Sequence, residues 1–210
     1  MSVPATILFA TGNPNKLREI RAILSAVGSG AGPGVHGLDT LGKDVAEPEE
    51  TGQTFIANAL LKARYYAEAA GELTLAEDSG LEVDALQGEP GVRSARYSGV
   101  AGERETVDAA NNQRLLEKLE GVAEADRTAR FVCAMALCEA DRTWAVVRGT
   151  LEGRILQQPR GAGGFGYDPL FFVPSQQATT AELSAEQKNA ISHRGSATRA
   201  MAEVLQLLMS

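Results

Sequence analysis

The segment Ile7 to Ala10, followed at once by Thr11-Gly12-Asn13-Pro14, constrains this chain's fold more than any other part of it. Four consecutive apolar residues read as a short buried strand, and the break supplies Asn, a good N-cap, and Pro, a good first helical residue. Leu17, Ile20, Leu24 and Val27 then give a helix its buried stripe, which Gly28 ends. Gly28 to Gly37 reads as a mobile surface loop, and Thr54 to Ala70 as a second helix that stops at Gly71. Leu73 to Ala76 looks like a strand running into Glu77-Asp78-Ser79-Gly80, where the chain turns away. Leu81, Val83 and Ala85 alternate with Glu82 and Asp84 as a further, half-buried strand.

Val107 to Leu119 has near-helical spacing, and Phe131 to Glu139 with Trp144 to Arg148 reads as a hairpin joined by Ala140 to Thr143. More strand is expected around Leu151 to Leu156 and Leu170 to Val173. Two helices come last, the first opened by a Ser184/Gln187 capping box and the second striped by Ala197, Met201, Val204 and Leu208. This order is not a strict βαβ repeat, so the expected fold class is α/β with a mixed sheet covered by helices, in a single domain over residues 1–210.

Charge and composition narrow the function. Twenty Lys and Arg against 27 Asp and Glu give a net charge of -7, so nucleic acid is a poor partner and any phosphate site must be local. The hydrophobic share of 44% with 22% charged residues excludes a disordered or collagenous chain. Apolar runs such as Phe131 to Leu137 fall well short of the roughly 20 residues that span a bilayer. Met1 to Ala10 lacks a charged leader region, which fits a cytoplasmic protein. Cys133 and Cys138 lie five apart in one strand pattern, on opposite faces, and the two histidines, His36 and His193, are distant in sequence. Structural thiols fit better than a zinc site.

Four constellations could carry chemistry. Thr11 to Lys16 puts a helix start and an ammonium together, as an anion site requires, although an ordinary capped turn fits the same residues. Glu49-Glu50 and Glu77-Asp78 supply hard oxygens of the kind Mg²⁺ takes when it carries phosphates; solvated surface charge is the plain alternative. Gly161 to Gly166 satisfies G-x-G-x-x-G, with Glu182 21 residues on. Tyr167-Asp168-Pro169 and Leu170 to Val173, directly after it, read as turn and strand rather than helix, so the dinucleotide interpretation fails. A loop presenting Phe165 for stacking on a base fits better, against a phenylalanine that merely packs inward. Lys188 with Ser192-His193-Arg194 brings phosphate-neutralising and hydrogen-bonding groups to a helix junction, where a simple Ser cap with solvated basic residues is the alternative.

Taken together, Thr11-Gly12-Asn13 with Lys16, Glu49 to Gly52, Asp78 to Leu81, Pro90-Gly91 with Ser94 to Tyr97, Gly164 to Pro169 and Ser192 to Arg194 resemble the inosine triphosphate pyrophosphatase family in order and spacing, over residues 6 to about 200. The resemblance implies hydrolysis of non-canonical purine nucleoside triphosphates (ITP/dITP, XTP) to the monophosphate and pyrophosphate, with Mg²⁺. It also implies a homodimer, and two lobes with the substrate in a cleft between them. Carried over by position, Thr11, Gly12, Asn13, Pro14, Asn15 and Lys16 hold the triphosphate. Asp78 is metal ligand and general base, with Glu49 as the second ligand and Glu50 its close competitor. Ser79, Phe165, Gly166, Tyr167, Asp168, Lys188, His193 and Arg194 contact the nucleotide. Glu77 stands where the family usually has Asp, and Ala57 where a Glu is common, on the helix that carries Asn58 and Lys62. The rival reading, a nucleotide-binding sensor without turnover, has no need of clustered carboxylates. A sequence-independent RNA-binding module is disfavoured by the charge and by 5% aromatic content.

Overall fold

The structure, a computed structural model, describes residues 4–26, 33–42 and 45–209. Among the described residues seven strands form one sheet in the order β2-β1-β3-β4-β5-β6-β7. Their ranges are β1 Thr6–Ala10, β2 Gly34–Gly37, β3 Thr74–Val83, β4 Thr128–Glu139, β5 Arg142–Ile155, β6 Phe171–Val173 and β7 Ala178–Thr179. The helices are α1 Pro14–Ala26, α2 Phe55–Ala70, α3 Arg104–Lys118, α4 Ala185–Ile191 and α5 His193–Met209. β1 pairs in parallel with β2 and β3, whereas β6 pairs antiparallel with β5 and β7, which makes the sheet mixed as expected. No helix among the described residues is long and apolar enough to cross a membrane.

The helix boundaries follow from side-chain chemistry. Asn13 Oδ1 accepts the Asn15 N–H at 3.0 Å, one turn before the apolar stripe of α1 begins. Thr54 caps α2 by accepting from Ala57 N, and Gly71 closes it at φ 72°, the left-handed conformation that glycine adopts without strain. Ser184 and Gln187 form the full capping box on α4. Val27 and Gly28, the expected end of the first helix, lie outside the described residues.

Three expectations need correction. The chain does not turn at Ser79-Gly80: β3 runs unbroken from Thr74 to Val83 through both acids. The fourteen-residue β5 absorbs the separate strand expected around Leu151 to Leu156, and its hairpin with β4 turns on Ala140 and Asp141 alone. Gly34–Gly37, read as loop, is an edge strand with Val35 beside Ile7 and His36 beside Leu8. Residues 28–32 of that expected loop are outside the described ones. Of the four β2 residues only Val35 is a large apolar one, packed against the core, so four residues leave no alternating pattern to recognise.

The chain divides into two compact units. The first comprises the chain up to Asp78, Cys133–Gly149 and the residues from His193 onward; the second comprises Ser79–Val132 and Thr150–Ser192. The first unit's core is Ile7, Phe9, Ile20, Leu75, Met135 and Met201 with their neighbours. In it α5 approaches β5 at Gly149, where a Cβ would collide with His193 O and lie 2.6 Å from Ala197 N. The second unit's core includes Leu81, Leu115, Ile155 and Tyr167, with the rings of Phe131 and Phe171 4.3 Å apart. Arg127 is buried there because its guanidinium donates to Leu119 O, at the C-cap of α3, at 2.8 Å and to Val122 O, in the segment after it, at 3.2 Å. Cys133 and Cys138 are free and buried on β4.

Candidate active site

In the first unit, β1 ends in a turn that its own side chains organise. Thr11 Oγ1 accepts from Asn13 N at 3.1 Å, and Asn13 in turn caps α1. Gly12 has an ordinary φ, and a Cβ built on it meets nothing within 4 Å, so neither conformation nor packing inside the chain requires glycine there. Its backbone is open to a close approach from outside.

Glu77 and Asp78 are neighbours on β3, so strand alternation directs them to opposite faces. They meet different partners. Glu77, 2% exposed, takes Lys16 Nζ at 2.8 Å and two bonds from Arg194, Nε at 2.8 Å and Nη2 at 3.0 Å. Arg194 Nη1 also reaches Glu19 Oε2 at 2.6 Å, so two cations and two carboxylates balance in this group. Burial alone would raise the Glu77 carboxyl, but Arg194 and Lys16 overcome it and hold the group well below the usual range. Cys133 Sγ donates to Glu77 Oε2 at 3.3 Å, and burial pushes that thiol far up.

Asp78 instead faces α2. Asn58 Nδ2 donates to Asp78 Oδ2 at 3.1 Å, while Asn58 Oδ1 accepts from Gly52 N at 2.8 Å. The approach is so close that a Cβ on Gly52 would collide with Asn58 Oδ1. Lys62 Nζ lies between Asp78 Oδ1 at 3.2 Å and Glu50 Oε1 at 2.6 Å. Burial raises the Asp78 carboxyl, Lys62 pulls it back and the like charge of Glu50 pushes it up again, leaving it raised. For Lys62, burial lowers the ammonium's proton affinity, but the two carboxylates outweigh it and the group stays raised.

Two carboxylates and one ammonium leave this group one negative charge in excess, and both acids offer hard oxygens. Among the described residues no three His, Cys, Asp or Glu side chains converge into a cluster that would hold a metal unaided. Magnesium that arrives on phosphates asks for only one or two protein carboxylates, so the donor set fits such an ion. Glu50 supplies the charge beside Asp78; Glu49 is exposed on the same segment.

In the second unit the centre is Asp168, 3% exposed. Its Oδ2 accepts from Phe165 N at 2.8 Å and from Lys188 Nζ at 2.6 Å, and its Oδ1 accepts from Thr180 Oγ1 at 2.8 Å. The Phe165 ring is half-buried, with Lys188 Nζ 4.8 Å and the Arg104 guanidinium carbon 5.4 Å from its centroid. Tyr167 is buried and donates its hydroxyl to Ser94 O at 2.9 Å. The loop from Gly161 leads into a turn and β6, as the failed dinucleotide interpretation required.

The residues anticipated from sequence therefore fall into separate groups. Thr11 to Lys16, Asp78 and Arg194 lie in the first unit, as does His193, buried at the start of α5. Ser79, half-buried on β3, and Phe165, Gly166, Tyr167, Asp168 and Lys188 lie in the second. Arg194, anticipated at the nucleotide, directs its guanidinium onto Glu77 and Glu19. Sequence reasoning assigns no role to Asn58, Lys62 or Glu19. A signal for the first two exists: α2 buries Phe55, Asn58, Ala59, Lys62, Ala63 and Tyr66, so an amide and an ammonium sit on its apolar stripe.

Known proteins resemble this chain in sequence and in fold. A model of the Ham1 family matches residues 7–204. A protein of Nitratidesulfovibrio vulgaris named dITP/XTP pyrophosphatase is 49% identical over 206 residues, covering 95% of each chain. One of the same name from Desulforamulus reducens is 46% identical over 204 residues, covering 96% of each. The solved structure of a HAM1 protein from Coxiella burnetii superposes with a TM-score of 0.84 at 41% identity, over 96% of this chain and 98% of that one. With the family model spanning nearly its whole length, this chain belongs to the Ham1 family.

Proposed function

We propose that this chain hydrolyses non-canonical purine nucleoside triphosphates, dITP and XTP among them, at the α–β phosphoanhydride, releasing pyrophosphate and the monophosphate. The names of the relatives support the substrate class. The observation that carries the chemistry is the buried Asp78 carboxylate, held by Asn58 and Lys62 beside Glu50. A carboxylate whose proton affinity burial has raised is suited to orient a water and take its proton as it attacks the α-phosphorus.

Asp78 and Glu50 would hold Mg²⁺, which when bound supplies charge to offset the phosphates. Lys16, at the helix start beside Gly12, and Lys62 neutralise phosphate charge. Arg194 holds Glu77, and Glu77 holds Lys16, so Arg194 acts on the phosphate side rather than at the base edge. Phe165 offers a ring on which a base can stack without discrimination, and Lys188 lies beside that ring. A homodimer in the cytoplasm belongs to the same reading, and sedimentation of the purified protein checks the dimer.

The test is product analysis with ITP, dITP and XTP in the presence and absence of Mg²⁺. Pyrophosphate and the monophosphate are expected, with activity abolished by excess chelator. Release of orthophosphate, or full activity under chelation, would overturn the mechanism.

A further inference from the structure

The loop that presents Phe165 is gripped by α3 through residues one and two turns apart on a single face. Asp108 Oδ2 accepts from Gly166 N at 2.8 Å, and Asn112 Nδ2 donates to Gly166 O at 2.8 Å. Both polar groups of one residue's backbone are thus held by two side chains of one helix. Arg104, one turn earlier, pairs with Asp108 at 3.5 Å and lies over the Phe165 ring. Asp168 holds the preceding N–H, that of Phe165. Consecutive amides, which would otherwise be donors to a ligand, are therefore spent on fixing the loop.

Asn112 adds an independent observation. Its amide nitrogen serves two carbonyls, Asp108 O at 2.9 Å and Gly166 O, so the orientation of the amide is settled. Its Oδ1 is buried and has no hydrogen-bond partner among the described residues. A buried, unsatisfied acceptor destabilises the fold, and an apolar residue of similar size would not carry that penalty. Retaining the amide makes sense where the position of Gly166 matters more than local stability.

We propose that Asp108 and Asn112 are positioning residues for the base-stacking platform, acting on substrate only through the Gly166 backbone and the Phe165 ring. This rests on the reading that Phe165 receives the base. A platform that stacks equally well in ground and transition states governs uniform binding, so its loosening moves KM and leaves kcat.

The experiment compares Asn112→Leu, Asp108→Ala and Asp108→Asn with the unaltered protein, by steady-state kinetics on ITP and XTP, thermal melting, and calorimetric titration with inosine monophosphate, which needs no turnover. Asn112→Leu is expected to raise KM for both triphosphates by about three- to tenfold, the worth of one hydrogen bond, with kcat held. Its Tm should be unchanged or higher, since the orphaned acceptor is gone. Asp108→Ala should act likewise on KM, and Asp108→Asn, which keeps an oxygen for Gly166 N–H, should restore it. The monophosphate should bind more weakly in step with KM. A lower Tm with unchanged KM and unchanged monophosphate binding would make the grip merely structural and overturn the proposal. Were the unaltered protein to bind the monophosphate yet release no pyrophosphate, the functional reading would fail while the titration still judged the grip. Binding that is absent, or equal in all variants, would sink the grip as well.

Discussion

Glu77 faces Lys16 and Arg194, whereas Asp78, one residue on, faces Asn58, Lys62 and the like charge of Glu50, and the two carboxyls shift in opposite directions. On the proposed mechanism, Asp78→Asn removes the base and a ligand charge while keeping the side chain's size. Pyrophosphate release is expected to fall by about 10² or more in a variant that still melts cooperatively. Near-normal turnover would make Asp78 structural. Glu77→Gln strands two cations with Glu19 as their remaining acid, and breaking a buried pair in this way costs about 3–5 kcal/mol, readable by urea denaturation. Because the folded carboxyl of Glu77 sits below its unfolded value, its stabilisation is complete above the ordinary Glu range near pH 4.3 and fades as the pH falls through the folded value. The acid limb of the stability curve should therefore flatten in Glu77→Gln. Arg194→Ala should weaken all triphosphates alike; a changed ratio of ITP to GTP hydrolysis, measured as kcat/KM, would return Arg194 to the base edge.

Elements whose ends are written in adjacent residues are legible in the sequence. Asn13-Pro14, the Thr54 and Gly71 pair and the Ser184/Gln187 box each resolve a helix terminus within a few positions, because capping is a local hydrogen bond. β3 is hidden for the opposite reason. Acid-acid-Ser-Gly after an apolar run has the composition of a turn, and what the segment meets comes from far away: its neighbours β1 and β4 in the sheet, Lys62 sixteen residues before Asp78, and Arg194 117 residues beyond Glu77. The same distance hides Arg194's partners, and it leaves Glu49 and Glu50 indistinguishable until Lys62 picks out Glu50. Gly149 is another such place, unremarkable in sequence yet pressed against the first turns of α5. Gly149→Ala should destabilise by about 1–3 kcal/mol through overpacking, as measured by denaturation. An unchanged stability would mean that α5 can shift.

Across the whole molecule the chain passes from one unit to the other four times, between residues 78 and 79, 132 and 133, 149 and 150, and 192 and 193. The first three passages lie inside β3, β4 and β5. No single stretch of sequence therefore equals the first unit, and its core closes only when Ala197, Met201 and Leu205 of α5 arrive. A chain ending at Ser192 should show no cooperative melting of that unit. The order in which the ribosome delivers these pieces then matters. Every residue of the second unit emerges before α5, so that unit can complete its core while the first still lacks a wall. Until α5 is made, the nascent chain carries Glu77 on a strand destined for burial with Lys16 as its counter-charge and Arg194 still to come. Completion of the charge group is thereby tied to the synthesis of α5, and the unit that buries Glu77 closes after its neighbour has been delivered in full.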